Sequence, residues 1–282
     1  MISVVICFKA DVNSELILNI ERTIGTDHEI LVYSNYNNEG LCKVYNDLAR
    51  KARYDYMVFV HEDVEFTSFN WGKILIQILA DPSIGLAFLC GSVYKSNLPT
   101  SWVQTDSKYY RGNVTRYREV LKCNLPREYS TVNYFEIVVG DGCFVSGRRE
   151  IFKEYPWNEI LLKGFHCYDM DISLRVGAKY KLVVVDEIKM IHSSNGCFDK
   201  KWLSESRLFH SSISCGNIPR SINLSIKEMK ELKYYSHISF LNVLYQLDQS
   251  FFEKIKYTIL IIYYRPFNRI GWSWLFKLLR VF

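Results

Sequence analysis

The run Val58-Phe59-Val60-His61-Glu62-Asp63-Val64-Glu65 decides the architecture of this chain. Tyr56 to Val60 is aromatic and β-branched, the composition of a strand buried on both faces. It ends in three polar side chains with ligand-capable atoms, His61, Glu62 and Asp63. In an open α/β sheet, ligands sit just outside the carboxyl ends of the strands. A carboxylate next to an imidazole at that place suits a hard divalent cation that also grips phosphate oxygens. An ordinary strand exit with solvated acids gives the same pattern, because acids at strand ends are common.

Upstream, Ile2 to Phe8 is a first strand. Ser14 to Ile24 carries Leu16, Ile17, Ile20 and Ile24 at helical spacing, and Asn13 or Ser14 can cap it. Glu29 to Tyr33 is a second strand, followed by a polar loop from Ser34 to Gly40. Leu41 to Ala52 is a helix with Leu41, Val44, Tyr45, Leu48 and Ala52 on one face. Strand, helix, strand, helix, strand predicts right-handed crossovers and a mostly parallel sheet. Neither G-x-G-x-x-G nor G-x-x-x-x-G-K-[ST] occurs, which excludes the dinucleotide fingerprint and the P-loop.

Downstream, Phe69 to Leu79 is predicted as a helix stopped at Asp81-Pro82, and Ile84 to Val93 as a strand. Residues 94–134 are polar, with Tyr109, Tyr110, Tyr117, Tyr129 and Tyr134, and look like a long excursion over the sheet. Phe135 to Ser146 is predicted as one strand interrupted by Gly140 and Gly142, which would let backbone or ligand approach closely. Gly164 to Cys167 leads into a helix whose first turn holds Asp169 and Asp171, where the macrodipole favours anions. Capping alone would also account for them. Lys181 to Val185 is another strand, and Ile188 to His192 places a second histidine at a strand end.

With 282 residues, 49% hydrophobic and 23% charged, the chain is globular and long enough for a large core. Residues 227–282 hold nine Lys and Arg against four Asp and Glu, the whole of the net +5. The basic character belongs to the tail, which argues against a nucleic-acid partner and suits an anionic membrane surface. Eight cysteines, at 7, 42, 90, 123, 143, 167, 197 and 215, include no C-x-x-C pair. The amino terminus lacks a basic n-region and has the pattern of a strand. We therefore expect reduced thiols and a cytoplasmic protein, in which Asn113 and Asn223 are chance glycosylation matches.

The expected division is a catalytic domain over 1–212 and a helical, basic, aromatic-rich extension over 213–282. Tyr257 to Tyr264, between Lys256 and Arg265, is too short to cross a bilayer, which takes about twenty residues. From Ile270 to Phe282, Ser273, Lys277 and Arg280 form a narrow polar stripe. Trp272, Trp274, Leu275, Phe276, Leu278, Leu279 and Phe282 cover the rest. Such a helix can lie in a membrane interface, here the inner face of the cell membrane, or dock on the catalytic domain or a partner chain.

Several of these pieces, in this order, resemble the bacterial family 2-like glycosyltransferases of the GT-A fold, the group that builds surface polysaccharides. They are the N-terminal strand; Glu39-Gly40-Leu41 through Lys43 and Asn46 to Ala52; Val58 to Val64; Gly140-Asp141-Gly142 to Arg149; Tyr168-Asp169-Met170-Asp171 to Arg175; and His192 to Gly196. Together they span most of residues 1–200. The resemblance implies an α/β fold with a mostly parallel mixed sheet flanked by helices, followed by a helical C-terminal extension. It also implies a nucleotide-sugar donor, a divalent metal (Mn2+ or Mg2+), a glycan or lipid-linked acceptor, and transfer with inversion.

Residue by residue, Asp63 matches the metal-binding second Asp of the family's Asp-x-Asp, with His61 at the first position in a His-x-Asp-Val variant. His192 matches the late histidine of the metal–diphosphate site. Asp169 matches the catalytic base, with Tyr168 replacing the acid that usually precedes it, and Asp171 matches the second acid. The resemblance puts Phe8, Ser34, Lys43, Asn46, His61 and Glu62 on the donor side, and Asp141, Gly142 and Trp157 on the sugar or acceptor side. Two other readings are a catalytically silent sugar-nucleotide or glycan binding module, motivated by His61 and Tyr168, and a sugar-nucleotide nucleotidyltransferase. The last would usually show a Gly-rich loop where Cys7-Phe8-Lys9-Ala10-Asp11 stands.

Overall fold

The chain begins with β1 (Ile2–Phe8), α1 (Ser14–Thr23), β2 (His28–Ser34), α2 (Leu41–Lys51), β3 (Tyr56–Val60), β4 (Val64–Phe66), α3 (Trp71–Leu79) and β5 (Ile84–Phe88). Short strands follow: β6 (Cys90–Ser92), β7 (Tyr94–Lys95), β8 (Tyr110–Gly112), β9 (Val114–Arg116) and β10 (Glu119–Val120). Next come β11 (Tyr134–Ile137), β12 (Val139–Gly140), β13 (Phe144–Arg148), α4 (Arg149–Glu154), α5 (Tyr168–Val176), β14 (Lys181–Val185) and β15 (Met190–His192). The last elements are α6 (Lys200–Ser212), β16 (Arg220–Ser221), α7 (Ile226–Gln246), α8 (Phe251–Tyr264) and α9 (Arg269–Leu279). This computed structural model describes residues 1–103, 107–112, 114–116, 119–120, 134–194, 196, 198–212 and 218–279. Asn113, Tyr117, Cys123, Tyr129, Asn195, Cys197, Cys215, Arg280 and Phe282 lie outside the described residues.

The main sheet has seven strands in the order β11-β14-β5-β13-β3-β1-β2. β1, β2, β3, β5 and β14 run parallel, while β13 and β11 run against them. β1 is flanked by β2 on one side and β3 on the other, so the first two crossovers diverge from it. That divergence opens a crevice at the carboxyl ends of β1 and β3. Val4, Val5, Ile6, Val58, Phe59 and Val60 are fully buried, as expected where helices cover both faces of a sheet. Asn13 caps α1, its Oδ1 accepting from the amides of Glu15 (3.0 Å) and Leu16 (3.4 Å). α2 buries Leu41, Val44, Tyr45 and Leu48 and lies on β1 and β2.

Three expectations are corrected. The stretch from Phe135 to Ser146 is not one interrupted strand. β11 pairs with β14 at the sheet edge, β12 leaves to pair with β6, and β13 returns between β3 and β5. The turn at Asp141–Cys143 makes that change of sheet. Ile84 to Val93 divides in the same way at Leu89, because β6 belongs to the small sheet β12-β6-β8. The described part of 94–134 carries short strands of its own. β8 joins that small sheet, β9 and β10 join β15 and β4 in the order β10-β9-β15-β4, and β7 pairs with β16.

The C-terminal helices bury Tyr234, Phe240, Leu241, Leu244 and Ile261 in one cluster with Leu98 and with Trp202 and Leu203 of α6. In α9, Gly271 and Leu278 are buried and Trp274 packs on Tyr245 at 4.6 Å between ring centroids. Phe267, Trp272, Phe276 and Leu279 stay exposed, as do Phe252, Ile259 and Tyr263 of α8. Among the described residues no helix is long and apolar enough to cross a membrane. Cys7, Cys42, Cys90, Cys143 and Cys167 form no disulfide with one another.

Candidate functional site

His61 leaves the end of β3 with its amide bonded to the Cys143 carbonyl (3.1 Å), which ties it to the Asp141–Cys143 turn. β15 pairs antiparallel with β4, His192 opposite Val64, and the Ser193 amide donates to the Asp63 carbonyl at 2.9 Å. This pairing carries His192 across 131 residues of sequence to His61. His192 Nε2 lies 3.2 Å from Asp63 Oδ1 and 3.4 Å from His61 Nδ1, and His61 Nδ1 lies 4.0 Å from Asp63 Oδ1. Ligands about 2.0–2.2 Å from one ion stand about 3–3.5 Å apart at neighbouring positions. Two edges of the triangle match that spacing and the third, at 4.0 Å, is wider; the three atoms could hold a divalent ion with one face left for other oxygens. His192 is buried, and its Nδ1 has no hydrogen-bond partner among the described residues. Burial works to raise the Asp63 carboxyl, but the hydrogen bond and charge of His192 outweigh it and hold the group at about 2, ionised and ready to ligate.

Asp169 sits in the first turn of α5, after Cys167 in a left-handed conformation (φ 65°). Its Oδ1 accepts from the Met170 amide (2.8 Å) and its Oδ2 from the Gly142 amide (3.2 Å). Burial, and then the charge of Asp141, push the Asp169 carboxyl from an ordinary 3.8 up to about 7, against the pull of these amides. Asp141 goes the other way. Burial would raise it, but the Cys143 amide (2.9 Å to Oδ1) and the two histidines hold it below the usual range. Its Oδ2 also accepts from Trp102 Nε1 at 3.0 Å. Two nearby carboxyls forced apart in this way can split acid and base roles at neutral pH.

His61, His192, Asp141 and Asp169 line one cavity of about 150 Å³. Its other walls include the rings of Trp102, Phe165, Phe198 and Trp202. Glu205 of α6 accepts from the His166 amide (3.2 Å) and holds the loop that carries Phe165. These four aromatics were not singled out from the sequence. They come from three remote segments, and only an aromatic content of 15% hinted at them.

The structure gathers Asp63, His192, His61, Asp141, Gly142 and Asp169, but not every expected site residue. Phe8 is fully buried in the core, so only its carbonyl reaches the strand end, where it accepts from the Asn35 amide (2.7 Å). Ser34 lies beside it at the end of β2. Glu62 accepts from the Lys9 amide at 2.7 Å and braces the loop after β1. With Asp63 it borders a second cavity, about 440 Å³, against α1. Lys43 is exposed and paired with Glu39 and Asp47 of its own segment.

Asn46 and Trp157 bond each other, Nδ2 to the Trp157 carbonyl (2.9 Å) and the Trp157 amide to Oδ1 (3.0 Å). That clamp lines a larger cavity of about 760 Å³ that shares no residue with the Asp169 cavity. Asp171 is also placed elsewhere. It is buried, gripped by Arg175 Nε (2.8 Å) and Nη2 (2.7 Å), and bonded by Asn158 (3.3 Å). Two residues beyond Asp169 on a helix, it faces away from the cavity.

A mostly parallel sheet with ligand-capable side chains at its central carboxyl ends is the architecture of a GT-A glycosyltransferase, and the chain has that fold. Residues 4–211 match the model of a glycosyltransferase-like family, and the chain belongs to it. No curated protein matches the sequence. Among solved structures, GalNAc-T7 with UDP, GalNAc and Mn2+ is similar with a TM-score of 0.51 and 14% identity, over 69% of this chain and 43% of that one. This chain thus spans less than half of that neighbour. S. aureus TarS 1–349 follows with 0.48 and 11% identity, over 87% and 72% of the two chains. The mannosyltransferase PcManGT from Pyrobaculum calidifontis, in complex with GDP-Man and Mn2+, gives 0.42 and 10%, over 70% and 58%. At 14% identity the likeness to GalNAc-T7 is one of fold.

Proposed function

We propose that the protein is a metal-dependent, inverting glycosyltransferase that moves a sugar from a nucleotide-sugar donor to a hydroxyl of a glycan or lipid-linked acceptor. The observation that carries this reading is Asp169, a carboxyl pushed up to about 7 in the cavity that also contains His61 and His192. A general base works best when its value lies near the working pH. Asp169 takes the proton from the acceptor hydroxyl as that oxygen attacks the anomeric carbon, from the face opposite the leaving diphosphate. One displacement of this kind inverts the centre.

Asp63, His192 and His61 would hold the metal; bound there, it would offset the negative charge that builds on the departing diphosphate. Two imidazoles with one carboxylate favour Mn2+ over Mg2+, which prefers oxygen ligands. The Mn2+ and UDP held by GalNAc-T7 agree with that choice. We assign Ser34 at the end of β2, Glu62 after β3 and Lys43 of α2 to the donor side. Asp141 and Gly142, with Trp102, Phe165, Phe198 and Trp202, wall the acceptor side, since flat rings suit the apolar faces of sugars. A base set near neutrality also favours turnover over a silent binding module.

We assign 1–212 to catalysis and 213–282 to an extension that rests on the inner face of the membrane, in surface polysaccharide synthesis. The exposed Phe267, Trp272 and Phe276 beside the tail's basic residues support that assignment.

Thermal unfolding against a panel of nucleotide sugars, with and without Mn2+, tests the donor reading, because a ligand of the native state raises its stability. We expect a Mn2+-dependent shift with one nucleotide family, lost in Asp63→Ala. No shift with any donor under either condition would overturn it. Asp169→Asn should keep the shift and lose transfer; near-normal transfer would remove Asp169 as the base.

A further inference from the structure

His61 and Tyr168 lie 107 residues apart in the sequence. In the structure they touch. Tyr168 Oη stands 2.5 Å from His61 Nε2, a short hydrogen bond. On its other side the same imidazole points Nδ1 at His192 Nε2 (3.4 Å) and Asp63 Oδ1 (4.0 Å).

We propose that Tyr168 is a positioning residue that fixes the ring and tautomer of His61, making His61 Nδ1 a third donor to the divalent ion. This rests on the metal-dependent reading above and deepens it.

The chemistry requires such a partner. Nδ1 can give a lone pair to a cation only if the proton sits on Nε2. A proton there needs an acceptor, and the phenol oxygen stands in line to accept it. A metal-bound histidine is commonly held in this way through its other nitrogen, and loss of the outer partner typically lowers metal affinity about 10–100-fold.

The position of Tyr168 is itself tightly fixed. Its side chain is buried against Tyr45 (6.0 Å between centroids) and Trp157 (5.7 Å). On the remaining side lies Gly142, where a Cβ would come within 2.2 Å of Tyr168 Oη and 2.5 Å of Cζ. Any side chain at 142 would occupy the space of the phenol. Gly142, Tyr168 and His61 thus form one device. The bare glycine admits the ring, the ring presents its oxygen, and the oxygen orients the imidazole.

The test is direct Mn2+ titration of the full chain by calorimetry, without donor, in a double-mutant cycle of Tyr168→Phe and His61→Ala. Tyr168→Phe keeps the packed ring and removes only the oxygen. We expect it to weaken Mn2+ about 10–100-fold in the wild-type background and less than about twofold in the His61→Ala background, where there is no imidazole left to orient. Unchanged Mn2+ affinity in Tyr168→Phe would overturn the inference. So would an equal loss in both backgrounds, which would mark a role in packing alone. Wild-type protein that takes up no Mn2+ would instead sink the metal-dependent reading, and this inference with it. The two failures are told apart by the wild-type titration.

Discussion

Asp169→Asn should make the protein more stable as the pH rises, relative to the wild type, while removing transfer. The carboxyl is raised from 3.8 to about 7 by burial and by Asp141. A group whose folded value lies above its unfolded one binds more protons when folded. Its cost to folding therefore grows as pH climbs from about 4 through about 7 and then levels off. At about 1.36 kcal/mol per pH unit the full cost is about 4 kcal/mol, of which about 2 kcal/mol falls between pH 5.5 and 8.0.

Asparagine keeps only one acceptor oxygen for the amides of Met170 and Gly142. The variant loses about 1–2 kcal/mol on that account at every pH, a constant that drops out of a comparison between pH values. Lys95, a buried ammonium pushed down to about 7 by burial, titrates in the same window. It also feels the charge of Asp169, so the difference between the two proteins reads Asp169 together with its attraction for Lys95. For a chain of this size about 2 kcal/mol moves the melting temperature by about 4 °C. We expect the melting temperature of Asp169→Asn minus that of the wild type to increase by about that amount from pH 5.5 to 8.0, measured in EDTA. A difference that stays flat or falls as pH rises would refute the argument that the fold holds a strained base at this position.

Three further outcomes follow from the packing. Gly142→Ala drives a methyl into the Tyr168 hydroxyl and should cost about 1–3 kcal/mol in urea unfolding together with Mn2+ affinity; a variant normal in both would contradict the close contact. Asp171→Asn weakens a buried ion pair with Arg175 and should lose up to about 3 kcal/mol of stability while retaining transfer at low temperature; loss of transfer without loss of stability would return Asp171 to the chemistry. Changing Phe267, Trp272 and Phe276 together to Glu should cut co-sedimentation with anionic vesicles at least about tenfold and leave transfer to a soluble acceptor intact; equal sedimentation would reject the membrane assignment.

What could be seen in the sequence was whatever is set by local periodicity. The alternation of β1, α1, β2, α2 and β3 follows from runs such as Ile2–Phe8 and from the helical spacing of Leu41, Val44, Tyr45 and Leu48. Asp63, His192 and Asp169 stood out because each ends a strand or opens a helix in a recognisable motif. The rest depends on partners far away in the chain. The Asp141–Cys143 turn changes sheets because β12 finds β6, which no local pattern around Gly140 reveals. Asp169 and Asp171 look equivalent in sequence, yet helical geometry sends one into the cavity and the other onto Arg175. The bond between Tyr168 and His61 joins two positions that read separately as losses.

Trp202 belongs to two structures at once. One part of it walls the cavity beside Asp169, and the same indole sits in the cluster that unites α6 with α7 and α8. The helical tail therefore backs the wall that we assign to the acceptor. Shortening the protein at residue 212, an obvious choice for anyone seeking a smaller catalytic unit, would expose Trp202, Leu203 and Leu98 and leave that wall unsupported. On the proposed function, the truncated protein would keep the crevice that rests on β1 and β3 and lose its hold on the acceptor. Its signature would be donor hydrolysis by water in place of sugar transfer.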